Sequence, residues 1–347
     1  MQTLTVKSIC IIVTILSWLS FCRAESSFMP DSLQDRLISR ALSRVYLDSF
    51  PAALSCLDSL LARTPRYWPA KVISAGVIYM DMADDEDYAR QTYCMRLIDS
   101  SMAALESHLD TFPKDAWAQF FMGTALGYRA VWEGQHGSLL KAISHGLKAG
   151  KYFAQTAKID STLYDAYFGL GNLHYWRSAK LGILRSLPFI ADQRRQGIEE
   201  LTLALKKSRY SGITAALSLG WIYIDRKEYD KAKTLSDSLI SVGISGRQIL
   251  WLKATACFSL SDAEGTIAAF ETIKEGLLRK GRQNYYNLIT CGYYLGLANY
   301  INGHRQAALK HFDEILGYKP SLYIAKRSAK KLESARGYQK KIAANGR

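Results

Sequence analysis

Small and apolar residues recur along the chain at the spacing of paired helices. Leu295-Gly296 is followed by Ala308-x-x-x-Phe312 and then Pro320, and nearly the same spacing appears at Leu219-Gly220, Tyr223 and Ala232. Between them lies a weaker copy, Leu250, Ala254, Phe270 and Ile273, with alanine in the glycine place and Cys257 in the tyrosine place. Near the start, Ala41, Ala53, Leu57 and Pro65 form a first, degenerate unit. Self-similarity at this period predicts repeated antiparallel helix pairs, none of which can bury its apolar face alone. The glycine and the later alanine are small where two helices cross closely. Large residues fill the gap to the next pair, and the proline ends a unit because it cannot continue a helix interior.

Three middle units are longer. Gly76-x-x-Tyr79, Gly123 and Leu170-Gly171 each open a unit, but their second-helix residues come late. Ala149-x-x-x-Phe153 begins 26 residues after Gly123, and Gly197-x-x-x-Leu201 begins 26 after Gly171. In the well-matched units the interval is 12, from Gly296 to Ala308 and from Gly220 to Ala232, so both long units gain 14. The Gly76 unit, measured back from Pro113, gains about 13. Divided evenly, 14 residues add seven to each helix, nearly two turns or roughly 10 Å, and the apolar face stays aligned. A surface loop would hold the same number. Gly182 and Pro188 favour a break in the third long unit, predicting extended helices joined by an ordered insertion around Leu181–Ala191. The count is about seven hairpins and a capping helix from about Ser321 to Lys341, all-α with essentially no strand.

These residues resemble the tetratricopeptide repeat family, whose unit reads Trp-x-x-Leu-Gly-x-x-Tyr, then Ala-x-x-x-Phe, then Pro. The last unit matches best, with Asn299 in the tyrosine place. The resemblance implies a right-handed superhelical α-solenoid whose first helices line a concave surface. It names as inward, partner-binding residues Trp117, Phe120, Thr124 and Tyr128, then Phe168, Asn172, Tyr175 and Trp176. Further along it names Leu217, Trp221 and Asp225, then Trp251, Thr255 and Phe258, and finally Tyr293, Leu297 and Tyr300. Tryptophan and tyrosine give large contact area with a polar tip. Few cations appear, unlike the carboxylate-clamp subclass, so an apolar or extended peptide or a partner helix is expected. A tightly wound array would bury the same stripe as core, so groove and core both stand as readings. The implied function is a non-catalytic scaffold or adaptor. The alternative is a small-ligand-binding module associated with solute transport, its site enclosed between the long middle hairpins.

Composition changes the picture in two places. The 347 residues suit two ordinary domains, yet a repeat array can run this long as one unit. With 48% apolar and 12% aromatic residues, wholesale disorder is excluded. Residues 1–24 read as an export signal: Lys7, an apolar run from Ile11 to Phe21, and Cys22-Arg23-Ala24 before Glu25. The run is short for a membrane span. Lipid attachment at Cys22 is the rival, weakened by the bulky Phe21. Either way the protein is expected outside the cytoplasm, periplasmic or secreted, with the repeat domain over 25–320 and a basic cap and tail over 321–347.

Losing residues 1–24 removes Lys7 and Arg23 and no acid, taking the net charge from +14 to +12. From Lys319 to Arg347 there are nine basic residues against the single acid Glu333. Such a tail suits an anionic membrane surface or a solvated cap; nucleic acid fits an exported protein poorly. The insertion interleaves Leu181, Ile183, Leu184, Leu187, Phe189 and Ile190 with Lys180 and Arg185, and Arg194-Arg195 follow. It can plug space between hairpins or touch a membrane through Arg185, Arg194 and Arg195.

No nucleophile elbow, phosphate-binding Gly-x-x-x-x-Gly-Lys-Ser/Thr or His-Glu-x-x-His helix is present, so neither enzyme nor cofactor is expected. The six histidines are scattered; His304 and His311, seven apart, read as surface or partly packed residues. The acidic run Asp81, Asp84, Asp85, Glu86 and Asp87 lacks the alternation of a calcium loop and reads as a solvated connection. Cys56, Cys94, Cys257 and Cys291 have no Cys-x-x-Cys spacing, and sequence alone pairs none of them.

Overall fold

The computed structural model describes residues 31–180, 191–281 and 284–344. The export stretch with Cys22, most of the 181–191 insertion and Arg185 lie outside the described residues. Among those described there are fifteen α-helices and no strand. They pair in chain order: α1 Ser32–Val45 with α2 Phe50–Arg63, α3 Trp68–Asp85 with α4 Gln91–Thr111, and α5 Ala116–Gln135 with α6 Leu139–Ile159. Then come α7 Asp165–Lys180 with α8 Arg194–Lys207, α9 Gly212–Asp225 with α10 Tyr229–Ser241, and α11 Arg247–Ser259 with α12 Ala263–Arg279. The last pair is α13 Tyr285–Ile301 with α14 Arg305–Gly317, capped by α15 Leu322–Ala344. Seven hairpins and a capping helix are thus present, as the spacing predicts. Each helix packs on the next, and first helices of neighbouring hairpins touch, α3 with α5, α5 with α7, α7 with α9 and α9 with α11.

The motif residues sit where close crossing requires them. A Cβ at Gly171 would meet the Gly197 carbonyl at 2.7 Å, and one at Gly197 would meet the Gly171 carbonyl at 2.6 Å. At Gly123 it would strike the Phe153 ring, and at Gly296 the Phe312 ring. Ala232, Ala308, Phe312 and Leu201 are fully buried. Caps fix several helix starts. Asp31 and Gln34 form a reciprocal capping box at α1, while Asp115, Asp262 and Asn284 accept backbone N–H groups at α5, α12 and α13.

Helix lengths carry the extension. The α5 and α6 helices have 20 and 21 residues against 14 and 13 for α9 and α10, a gain of six and eight. Helices α3 and α4, at 18 and 21, lengthen similarly. In the fourth hairpin the second helix differs from the expected extension: α8 has only 14 residues and starts at its N-cap Gln193, while α7 is described over 16 residues up to Lys180. The 181–190 stretch between them, with Gly182 and Pro188, lies outside the described residues.

The array also closes on itself. Asp35 of α1 accepts hydrogen bonds from Arg209 at 2.6 Å and the Tyr210 hydroxyl at 2.8 Å, just before α9. The Tyr46 carbonyl accepts from Gly246 N–H at 2.9 Å, and Tyr46 packs with Ala216, Leu217 and Ile249. Asp48 accepts from the Arg247 N–H at 2.9 Å, and the Arg247 guanidinium reaches Asp84 at 2.8 Å. Lys280 holds Asp85 at 2.6 Å and Asp84 at 2.8 Å, while Asn284 and Asn287 donate to the Asp84 carbonyl. Arg327 of the cap reaches Glu86 at 2.6 Å.

This corrects the reading of the acidic run as solvated. Asp81 and Asp85 are 7% and 5% exposed, because they continue the Ile73–Val77 face of α3 into a seam of cations. The first two hairpins therefore lie against the fifth to seventh hairpins and the cap.

Candidate partner-binding surface

The residues named from the repeat fall into three environments. On α5, Trp117 is half-buried, stacked on Phe121 at 5.9 Å and set against Tyr210 at 5.8 Å; Phe120 is buried. The Tyr128 ring covers Gly76, so α3 and α5 meet there, and burial raises its phenol pKa. At the other end, the Tyr293 hydroxyl is 3.1 Å from the Ser334 hydroxyl, and Tyr300 stands edge-on to Tyr338 at 4.8 Å. Both are covered by α15. Trp251 and Phe258 of α11 are edge-on to Phe270 at 5.6 Å and to Tyr294 at 4.8 Å. Much of the aromatic stripe is packed at its two ends.

The middle is open. Phe168 and Trp176 of α7 are half-buried, and Asn172 donates to the Phe168 carbonyl at 2.9 Å. Tyr175 is fully buried and donates at 2.7 Å to Asp225 of α9, tying two neighbouring first helices together. Burial and that carboxylate both raise its pKa. Trp221 is 39% exposed, the one tryptophan of the exposed class among the described residues. Lys180 lies 5.5 Å from the Trp176 ring centre. The exposed part of the stripe is thus an aromatic and acidic strip on α7 and α9.

A separate cleft of about 790 Å³ opens at the turns before α5 and α7 and the end of α8. Phe112, Trp117 and Tyr164 form its aromatic wall, and Lys114, Lys207 and Arg209 its basic rim. Its three carboxylates, Asp115, Asp160 and Asp165, hold the turns in place, Asp160 by accepting from the Thr162 N–H at 2.8 Å. Asp115 accepts from Ala118 N–H at 3.0 Å and meets His108 at 3.0 Å. Asp165 accepts from Arg209, Tyr210 and Ser211 N–H groups at 2.9 Å each. Asp165 and Arg209 lie outside the repeat motif, so their joining of the fourth and fifth hairpins carries no periodic signal.

Arg194 is paired with Asp192 at 2.6 Å and Arg195 with Glu199 at 2.8 Å. Of the basic cap, Arg327 is committed to Glu86 and stacks on Tyr286 at 3.8 Å. Cys94, Cys257 and Cys291 are buried thiols and Cys56 is half-buried; burial pushes Cys94 and Cys257 up to about 11. Among the described residues no three His, Cys, Asp or Glu side chains gather as metal ligands, and no helix is long and apolar enough to cross a membrane.

The fold defines an all-α array of stacked hairpins that presents surface along its length. No family model and no curated protein matches the chain. Among solved structures it is similar to that of the APC/C hetero-tetramer Cut9-Hcn1, with a TM-score of 0.55 and 15% identity over 90% of this chain and 50% of that one. The chain spans about half the length of that relative. It also matches a tetratricopeptide repeat protein from Parabacteroides merdae at 14% identity, over 88% of this chain and 100% of that one, with a TM-score of 0.40. Yeast Tom70 is matched at 13% identity, over 88% and 82%, with a TM-score of 0.33. The Cut9-Hcn1 likeness shows the fold, an all-α array of helical hairpins, which is the architecture that the motif glycines and their tetratricopeptide resemblance imply.

Proposed function

We propose that the protein is a non-catalytic scaffold, binding a protein or peptide partner in the cell envelope through the open strip on α7 and α9. The observation that carries this reading is Trp221, 39% exposed on α9, which packs on the α7 helix that bears the half-buried Trp176 and Phe168. An aromatic ring left uncovered on a rigid helix is a low-entropy anchor for an apolar or helical segment, and Asp225 gives the strip a polar edge. The signal-like residues 1–24 support an exported, periplasmic or secreted location, with lipid attachment at Cys22 as the rival form. The Cut9-Hcn1 assembly, a hetero-tetramer, is in keeping with use of such an array to hold other chains.

The cleft lined by Trp117, Tyr164, Lys207 and Arg209 favours a second reading, a small-ligand carrier. One experiment separates the two: capture from intact envelopes, with mass spectrometry of proteins and of small molecules. A scaffold releases one specific protein on Trp221→Ala, a loss of about 2 kcal/mol or more for a central anchor. A carrier retains a small molecule that Trp117→Ala releases. An unchanged protein profile with Trp221→Ala would remove the scaffold reading of this strip.

A further inference from the structure

Helix α6 exposes an apolar stripe that the partner-binding reading does not use. Leu139 is 66% exposed, Leu140 84%, Ile143 50% and Leu147 43%, with Val131 of α5 at 49% beside the turn. At 100° per residue the four α6 positions fall within one 100° arc, a continuous face. The second half of α6 is committed to the fold through Ala149, Gly150, Phe153 and Thr156, while none of residues 139–148 is buried. Lys141, Lys148, Lys151 and Lys158 complete the exposed surface, and α6 contains no Asp or Glu.

We infer that this face docks the protein onto an anionic lipid bilayer. Three observations select that occupant. A leucine-rich face bordered by lysines, with no acid on the helix, matches a surface that is apolar within and negative at its head groups. A second copy of the chain would bring lysine against lysine. The stripe also lies at the tip of an elongated hairpin, where roughly 10 Å of added helix gives the reach of an interfacial insertion of about 5–10 Å. The inference goes beyond the partner-binding reading and does not depend on it.

The test is co-sedimentation of the full chain with phosphatidylcholine vesicles, with and without phosphatidylglycerol. Wild type should bind the anionic vesicles more strongly, and added salt should weaken the binding. Lys141→Glu with Lys148→Glu should lower the partition roughly five-fold or more per lysine on anionic vesicles. Leu139→Ser, Leu140→Ser and Ile143→Ser together should lower it further while leaving the helical circular dichroism intact. Trp221→Ala should leave it unchanged, so failure here is distinct from failure of the scaffold. Equal sedimentation of wild type and the serine variant would overturn the proposal. So would a vesicle-free dimer that the serine substitutions dissociate.

Discussion

At the scale of single residues, Arg247 joins more of the molecule than any motif position. Its guanidinium is buried, 2.8 Å from Asp84 through Nε and 3.1 Å from Asp48, while its backbone N–H is held by Asp48. Burial works against its charge, but the hydrogen bond and the field of Asp84 outweigh that and raise its pKa. Removing one partner of a buried pair leaves the others desolvated, which costs about 3–5 kcal/mol. Arg247→Ala should therefore lower the urea midpoint far more than Arg226→Ala, whose exposed pair with Glu228 contributes about 0–1 kcal/mol. Arg247→Lys should recover only part of the loss, because an ammonium lacks the planar fork that serves two carboxylates. Equal midpoints for Arg247→Ala and Arg226→Ala would remove Arg247 from the closing seam.

At the scale of elements, the turn inside a hairpin repeatedly uses one left-handed residue. Asp48, Glu86, Lys227 and Ser261 have φ of 58°, 52°, 59° and 59°, and Gly137 and Gly303 occupy the same place at 84° and 80°. A side chain costs roughly 1–2 kcal/mol in this region, and glycine escapes it. Lys227→Gly and Ser261→Gly should each stabilise the protein by about 1 kcal/mol in chemical denaturation. Glu86→Gly should not, since it also removes the ion pair with Arg327. Destabilisation by Lys227→Gly would mean that the turn is held by something other than backbone conformation.

Much at this scale was legible in the sequence. Gly123, Gly220 and Gly296 mark crossings because a Cβ would strike a neighbouring side chain there, and that constraint is periodic. The interval from Gly123 to Ala149 gave the long α5 and α6 because helix length is additive in residues. The fourth hairpin was less legible, since Gly182 and Pro188 do not by themselves say how much of the added length is helix. Trp176 and Trp221 stood out as aromatics on first helices, but nothing local separates them from Phe120 or Tyr175, which are buried. That difference is set by which neighbour covers each ring.

At the scale of the whole molecule, closure was hidden because it joins residues far apart in the chain. Asp84 meets Arg247 across 163 residues and Arg327 meets Glu86 across 241, and no repeat period links such pairs. The available hint was weak: Asp81 and Asp85 continue the four-residue spacing of Ile73 and Val77, so carboxylates fall on an apolar face. The seam is polar while the hairpin cores are apolar, and this divides the molecule by pH. Burial pushes Asp84 up, but the hydrogen bonds from Arg247 and Lys280 hold it below the ordinary carboxylate range. The hydrogen bond from Arg209 lowers Asp35 as well. Carboxylates depressed in the fold contribute stability above their unfolded value of about 4, and lose it as pH falls through the folded values. Asp48 is raised by burial and acts in the opposite sense, adding stability below its unfolded value and losing it as pH rises through the folded one. Two of these three carboxylates thus make acid weaken the seam, while the apolar contacts between consecutive helices do not titrate. Below about pH 4 the first two hairpins should release from the fifth to seventh before the helices melt. Hydrogen exchange between pH 7 and 3 should then quicken first along the seam, at 32–48, 81–90 and 244–250, with the scattering radius rising while helical circular dichroism holds. Loss of helicity in step with the exchange of these segments would show that the seam is no weaker than the stack.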